Sequence, residues 1–361
     1  MDSSILPSKT RIPWGAVRLL ASAAIAFLVS LAYLYYGNPE IRFYKKAIQV
    51  KQDWAHKLTR EYGNKTVIFG GSSCAFSIDG ERLLEKHQIP AVNMGLHAGM
   101  RPTMLTNFAL SETRPGDTLI VAIEPDLLTK PLAPPPLAVQ LSYAVHSPTW
   151  LEAPWLDQPV SKVSSIFALR PSGYLLFVML GKAMKGLPPY RYNPDYIHPS
   201  GWMTTPDRRL IGFGRQENFR PVALSHEAEN LLGWLRDWST AHRVRVAYSM
   251  PWMCVDPRDV TVIQRSNAAF LQQVAQYLPV LKDPHLGAST TREYFADTIN
   301  HLTPEGSALR TDSLAQQLQA WDVWKNQELE ILSTKLAGEN QTAQTNQPAQ
   351  SGLSEKLIQS K

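Results

Sequence analysis

Between Thr66 and Ile123 the chain repeats one pattern three times: a short β-branched, apolar run followed by a polar stretch of helix length. The runs are Thr66–Phe69, Ala91–Gly95 and Thr118–Ile123, and the stretches between them predict helices over 81–87 and about 102–112. Strands that alternate with helices over roughly 60 residues pair in parallel, because each crossover needs a covering helix and turns right-handed. An α/β domain with a parallel sheet is therefore expected. The rhythm resumes with a helix over 226–242, a strand over 245–250, a helix over 260–277 and a short strand at Val280–Leu281. Thr303-Pro304-Glu305-Gly306 then opens a closing helix to about Trp321, with Pro304 and Glu305 suited to its first turn.

Residues 127–223 break the alternation. They hold Pro131, Pro134, Pro135 and Pro136, an apolar run from Tyr174 to Leu180 that is too short to span a bilayer, and an aromatic, proline-rich loop over 188–206. This region reads as an insertion of helices and loops that caps the sheet edge or covers a substrate cleft.

At the N-terminus, Leu19 to Tyr36 carries no charge. Eighteen helical residues reach ~27 Å, close to a hydrocarbon core of ~30 Å. Trp14, Tyr33, Tyr35 and Tyr36 sit where interfacial aromatics are found, and no small-residue cleavage site follows cleanly. Residues 14–36 are thus expected to be an uncleaved single-pass anchor after a cytoplasmic tail over 1–13. Lys9, Arg11 and Arg18 on one side face Arg42, Lys45, Lys46 and Lys51 on the other, so charge alone does not orient it. The usual arrangement for such an anchor puts the bulk outside, in the periplasm of a bacterial inner membrane. An amphipathic connecting helix within 37–63, with Ala47, Ile48, Trp54 and Leu58 at helical spacing, would lead into the domain over 64–325. The tail over 326–361, rich in Gln, Asn, Thr, Ser and Ala, is expected to be mostly disordered.

With 361 residues and 44% hydrophobic content the chain can bury a full core. Its 36 Lys and Arg outnumber 31 Asp and Glu without forming basic blocks, which gives no support for nucleic-acid binding. Cys74 and Cys254 are too few for a disulfide framework and lack metal-ligand spacing. One Cys74–Cys254 disulfide and two buried free thiols both remain open. No metal or organic cofactor is expected.

The first strand closes on Gly70-Gly71-Ser72-Ser73, and Asp297 and His301 stand together just before the closing helix. A serine nucleophile needs a base that is itself oriented by a third group, and these three residue types meet that need. Each lies at the carboxyl end of a strand or in a loop on that rim, where open parallel sheets bind ligands. Ser72 is the expected nucleophile, His301 the base and Asp297 its orienter. Ser73 is the alternative nucleophile, and the amides of Ser72 and Gly95 are candidate oxyanion donors. Singly, each has a blander role: a helix-capping serine, a loop histidine, a turn aspartate. Phosphate cradling is disfavoured, since the lysine of a P-loop and the spacing of a dinucleotide fingerprint are missing.

These residues resemble the SGNH hydrolase superfamily, also called GDSL esterases and lipases. That family ends a strand in Gly-Asp-Ser, which Phe69-Gly70-Gly71-Ser72 matches with Gly71 in place of Asp. Its second block supplies an oxyanion glycine, similar to Gly95 in Val92-Asn93-Met94-Gly95-Leu96, and its Asp-x-x-His is one residue longer here, as Asp297 to His301. The third-block Asn is not visible; Ala122-Ile123-Glu124-Pro125 stands there instead. Similar losses occur in a membrane-anchored branch that includes DltD-like and alginate-acetylation-like proteins. The resemblance implies a three-layer, doubly wound parallel sheet. It also implies an esterase or O-acyltransferase acting on acyl esters of an exopolysaccharide or cell-envelope glycan, with polysaccharide synthesis or acetylation machinery as partner. The alternative is a non-catalytic glycan-binding or scaffolding accessory of such machinery. Trp150, Trp155, Tyr190, Tyr192 and Trp202 would either stack on sugar rings or simply pack.

Overall fold

The computed structural model describes residues 13–321 apart from 160, 162–164, 167, 170–176, 178–179, 183, 187–189 and 209–222. The expected tail over 1–13 except Pro13, the tail over 326–361 and most of the run from Tyr174 to Leu180 therefore lie outside the described residues. The chain divides into two compact units, Met1–Ala315 and Gln316–Lys361; the described part of the second, 316–321, is helical.

Helix α1 (Trp14–Ala32) buries none of its residues. With the single wider turn Tyr33–Gly37 it forms a 24-residue stretch, long and apolar enough to cross a membrane, whose most apolar 18-residue window has mean hydropathy 2.0 and is only 6% buried. A core helix of this composition would be covered; this one is not. Asn38 then starts α2 (Pro39–Tyr62) by accepting bonds from the amides of Glu40 and Ile41, at 3.0 and 3.3 Å. Buried positions Ile41, Tyr44, Ile48, Lys51, Ala55 and Leu58 alternate three and four apart and make one stripe. Trp54 Nε1 donates to Ala91 O at 3.0 Å, docking the helix on the sheet.

The sheet comprises β1 (Thr66–Phe69), β2 (Ala91–Asn93), β3 (Thr118–Val121) and β4 (Arg245–Tyr248), all parallel, in the order β2-β1-β3-β4. Strands β1, β2 and β3 are buried at every position, as near-continuous apolar runs require. Between them lie α3 (Ser72–Ala75), α4 (Gly80–His87) and α5 (Arg101–Ser111). After β3 come α6 (Pro125–Leu128) and α7 (Pro136–Ala144), and α8 (His226–Ala241) leads into β4. The protein is thus a mixed α/β molecule with a four-stranded parallel sheet and an apolar N-terminal helix.

Four expectations for the strands need correction. The strands expected over 91–95, 118–123 and 245–250 each stop two residues early, at Asn93, Val121 and Tyr248, and the one expected at Val280–Leu281 is a single parallel bridge from Val280 to Tyr248. A separate two-residue parallel pair follows, β5 (Met253–Cys254) with β6 (Ala288–Ser289), on either side of α9 (Val260–Val274). Cys74 and Cys254 are both buried, and neither is part of a disulfide. Burial pushes their thiols up to about 12 and about 11.

Candidate active site

In the order β2-β1-β3-β4 the chain reverses its direction of growth between β1 and β3, and a crevice opens beyond the carboxyl ends of strands at such a point. Gly70-Gly71-Ser72 leaves β1 there, and Ala122-Ile123-Glu124 leaves β3 beside it. The two segments touch so closely that glycine is required. A Cβ on Gly70 would sit 2.0 Å from Ala122 O, and one on Gly71 2.4 Å from Glu124 Oε2. Glu124 fills that space with its own carboxylate, accepting the amides of Gly71 and Ser73 at 3.0 and 2.9 Å. Gly71 and Glu124 are therefore opposite sides of one contact. Burial raises the Glu124 pKa above the usual carboxylate range, and the Ser73 amide and nearby hydroxyl partly oppose this.

The turn presents its two serines differently. Ser72, the first residue of α3, is half-buried, and neither its Oγ nor its amide has a partner among the described residues. Ser73 is fully buried, and its hydroxyl lies against Glu124 without reaching hydrogen-bond geometry. Only Ser72 is open to a substrate.

Asp297 and His301 meet at 2.8 Å, Oδ1 to Nδ1. The extra residue between them is absorbed by a closed loop. Phe295 bridges antiparallel to Leu302, Ala296 N donates to His301 O at 2.8 Å, and Thr298 Oγ1 accepts from Asn300 N at 3.2 Å. Thr303 caps the closing helix α10 (304–321) by accepting from Gly306 N at 3.2 Å, which fixes where the loop ends. The Asp297 carboxylate also accepts Tyr192 Oη at 3.0 Å and pairs with Arg191 at 2.9 Å. Burial would push its pKa up, but the His301 bond and the charges of His301 and Arg191 outweigh it and hold the carboxyl below its ordinary range. An ionised carboxylate can only accept, so His301 Nδ1 carries the proton and Nε2 is the lone-pair nitrogen. Nε2 has no partner among the described residues, and the Ser72–His301 hydrogen bond is not formed.

Phe76, one turn after Ser72, stacks on the His301 ring at 4.2 Å and so brings the serine turn and the histidine loop side by side. Gly95 packs against the same turn: a Cβ there would lie 2.5 Å from Ala75 N. Its amide is held by Asn93 Oδ1 at 2.9 Å, so it is not a free oxyanion donor in this structure. The Asn93 amide nitrogen in turn donates to Cys74 O and Ile78 O at 2.9 and 2.7 Å.

No protein-family model and no curated protein matches this chain. One solved structure, from Streptococcus pneumonia and provisionally described as a platelet activating factor, aligns over 85% of this chain and 100% of its own, at 12% identity and a TM-score of 0.35. At that TM-score the likeness carries no argument about activity.

Three neighbours of the site give no local sequence signal. Arg191 and Tyr192 reach Asp297 from more than a hundred residues away. His97 accepts the Gly99 amide at 2.9 Å and faces His301; burial and the His301 charge push its imidazole below the ordinary range. The five aromatics considered as sugar platforms mostly pack. Trp150, Trp155 and Trp202 are buried, and Tyr190 and Tyr192 join Phe43 and Tyr44 in one cluster. Among the described residues no group of three or more His, Cys, Asp or Glu could hold a metal ion.

Proposed function

We propose that the protein is a membrane-anchored serine esterase or O-acyltransferase with an SGNH-like, three-layer, doubly wound domain. The observation that carries this reading is the Asp297–His301 contact of 2.8 Å, beside a half-buried Ser72 at the switch point of a parallel sheet. Ser72 Oγ attacks the ester carbonyl while His301 Nε2 takes its proton, and Asp297 keeps the imidazole in the tautomer that makes this possible. The unengaged Ser72 amide faces the developing oxyanion; Gly95 joins it once its amide leaves Asn93. His301 then returns the proton to the departing alcohol oxygen. The acyl group on Ser72 leaves to water in an esterase, or to a glycan hydroxyl in a transferase.

The anchor over 14–36 fits a bacterial inner membrane with the domain over 64–325 in the periplasm, acting on acyl esters of an exopolysaccharide or other envelope glycan alongside polysaccharide synthesis or acetylation machinery. Arg191 and Tyr192, within the stretch over about 127–223 read as an insertion, engage the Asp297 carboxylate. A second reading, a non-catalytic glycan-binding or scaffolding accessory, is favoured by the absent Ser72–His301 bond and by the tethered Gly95 amide.

The test is hydrolysis of an aryl acetate by the detergent-solubilised protein. The catalytic reading expects turnover that falls at least about 10³-fold in Ser72→Ala and in His301→Ala. Equal, background-level rates for the wild type and both variants would support the accessory instead.

A further inference from the structure

The foot of α1 meets a second feature that the catalytic reading does not use. A groove of about 360 Å³ runs between α2 and the end of α7, lined by Lys45, Lys46, Gln49 and Gln52, with Ile48 and Val145 on its apolar side. Its rim is placed at the membrane end of the molecule by Tyr35. That ring stacks on His146, another lining residue, at 6.2 Å, and its hydroxyl donates to Tyr143 O at 3.3 Å.

Lys45 and Lys46 lie about seven residues beyond the start of α2, or ~10 Å of helix rise, within side-chain reach of a headgroup layer ~5–8 Å deep. Arg42, one turn earlier, continues the same stripe toward the membrane. Among the described residues neither Lys45 nor Lys46 has a carboxylate partner. No acid lines the groove among the described residues, and Glu112, which accepts the lining Gln52 Nε2 at 2.8 Å, is already paired with His56 at 3.1 Å. The groove therefore combines two unpaired cations, amide donors and a strip of apolar wall at the depth of a lipid headgroup.

We propose that this groove binds the phosphodiester headgroup of an anionic phospholipid. The phosphate lies between Lys45 and Lys46, and the glycerol end lies against Ile48 and Val145. The site rests on the anchor reading of residues 14–36 and is independent of catalysis. Its effect is to fix the rotation of the domain about the anchor, since α2 carries both the groove and the stripe that docks on the sheet.

The experiment reconstitutes the full chain into vesicles of phosphatidylcholine alone or with phosphatidylglycerol, then extracts it gently and weighs the retained lipid by native mass spectrometry. Retention of phosphatidylglycerol over phosphatidylcholine is expected, and Lys45→Gln/Lys46→Gln lowers that preference about 30-fold, a factor of about five per juxtamembrane cation. Unchanged aryl acetate turnover or circular dichroism in the double variant shows that its fold is intact, and Lys46→Gln alone, at an exposed position, gives the intermediate value. Incorporation into both vesicle types with no lipid preference overturns the headgroup site and leaves the anchor standing. Failure to incorporate into either overturns both. Displacement of the lipid by millimolar inorganic phosphate assigns the groove to a soluble anion and overturns the lipid.

Discussion

Removing the Glu124 carboxylate is the sharpest perturbation of the serine turn. In Glu124→Ala the buried amides of Gly71 and Ser73 lose acceptors at 3.0 and 2.9 Å. An orphaned buried donor costs about 1–3 kcal/mol, so two cost roughly 2–6 kcal/mol. The variant also loses a buried carboxylate whose ionised form the fold disfavours, and this offsets part of the loss. About 3 kcal/mol remains, which for a domain of this size lowers Tm by roughly 6–12 °C. The origin of that loss is tested by Gly71→Ala. Gly71 has φ −77°, outside the left-handed region, and a Cβ there would meet the carboxylate at 2.4 and 2.5 Å, a contact that Glu124→Ala removes while the backbone stays the same. Gly71→Ala should therefore destabilise the wild type strongly and the Glu124→Ala protein hardly at all, a coupling of at least about 1 kcal/mol. Thermal unfolding of the solubilised chain, followed by tryptophan fluorescence, reads all four proteins. Equal penalties for Gly71→Ala in both backgrounds would refute the reasoning, as would a Glu124→Ala Tm within about 1 °C of wild type.

Two further outcomes follow from the same geometry. Lys51 is fully buried in α2, where its ammonium nitrogen donates to Asn93 O at 2.8 Å and to Gly201 O, and burial pulls its pKa down to about 7. The unfolded chain protonates this lysine below about 10.5, so between pH 7 and 10.5 unfolding takes up a proton. Stability should rise with pH through that window by up to about 1.4 kcal/mol per unit, and urea midpoints at pH 7.5 and 9 should show the rise in wild type but not in Lys51→Met. Asp297→Asn removes the acceptor that fixes the His301 tautomer; kcat on an aryl acetate should fall about 10³–10⁴-fold with little change in KM.

Much of this arrangement was legible in the chain because it depends on local pattern. The β-branched run Thr66–Phe69 is β1 to the residue, and the alternation of apolar runs with helix-length segments specified a parallel sheet. The next two strands were expected to run two residues further than they do. β2 ends where Asn93 turns back to hold the Gly95 amide, and β3 ends where Ala122 and Glu124 close on the glycine turn. The pair β5–β6 has two residues per strand, too few to show a period. Lys51 reads as one more solvent charge until it is placed on the stripe of Ile48 and Ala55, where helical spacing already marks it as buried. The contacts of Asp297 with Arg191 and Tyr192 had no such signal, because tertiary packing across more than a hundred residues leaves no periodicity behind.

A fluorophosphonate that reacts only with activated serines, followed by mass spectrometry of the labelled peptide, reads the central claim most directly. The account predicts one phosphonyl group, located on Ser72, that is lost in Ser72→Ala and in His301→Ala. A modified Ser73, or label that persists at wild-type level in either variant, would contradict it.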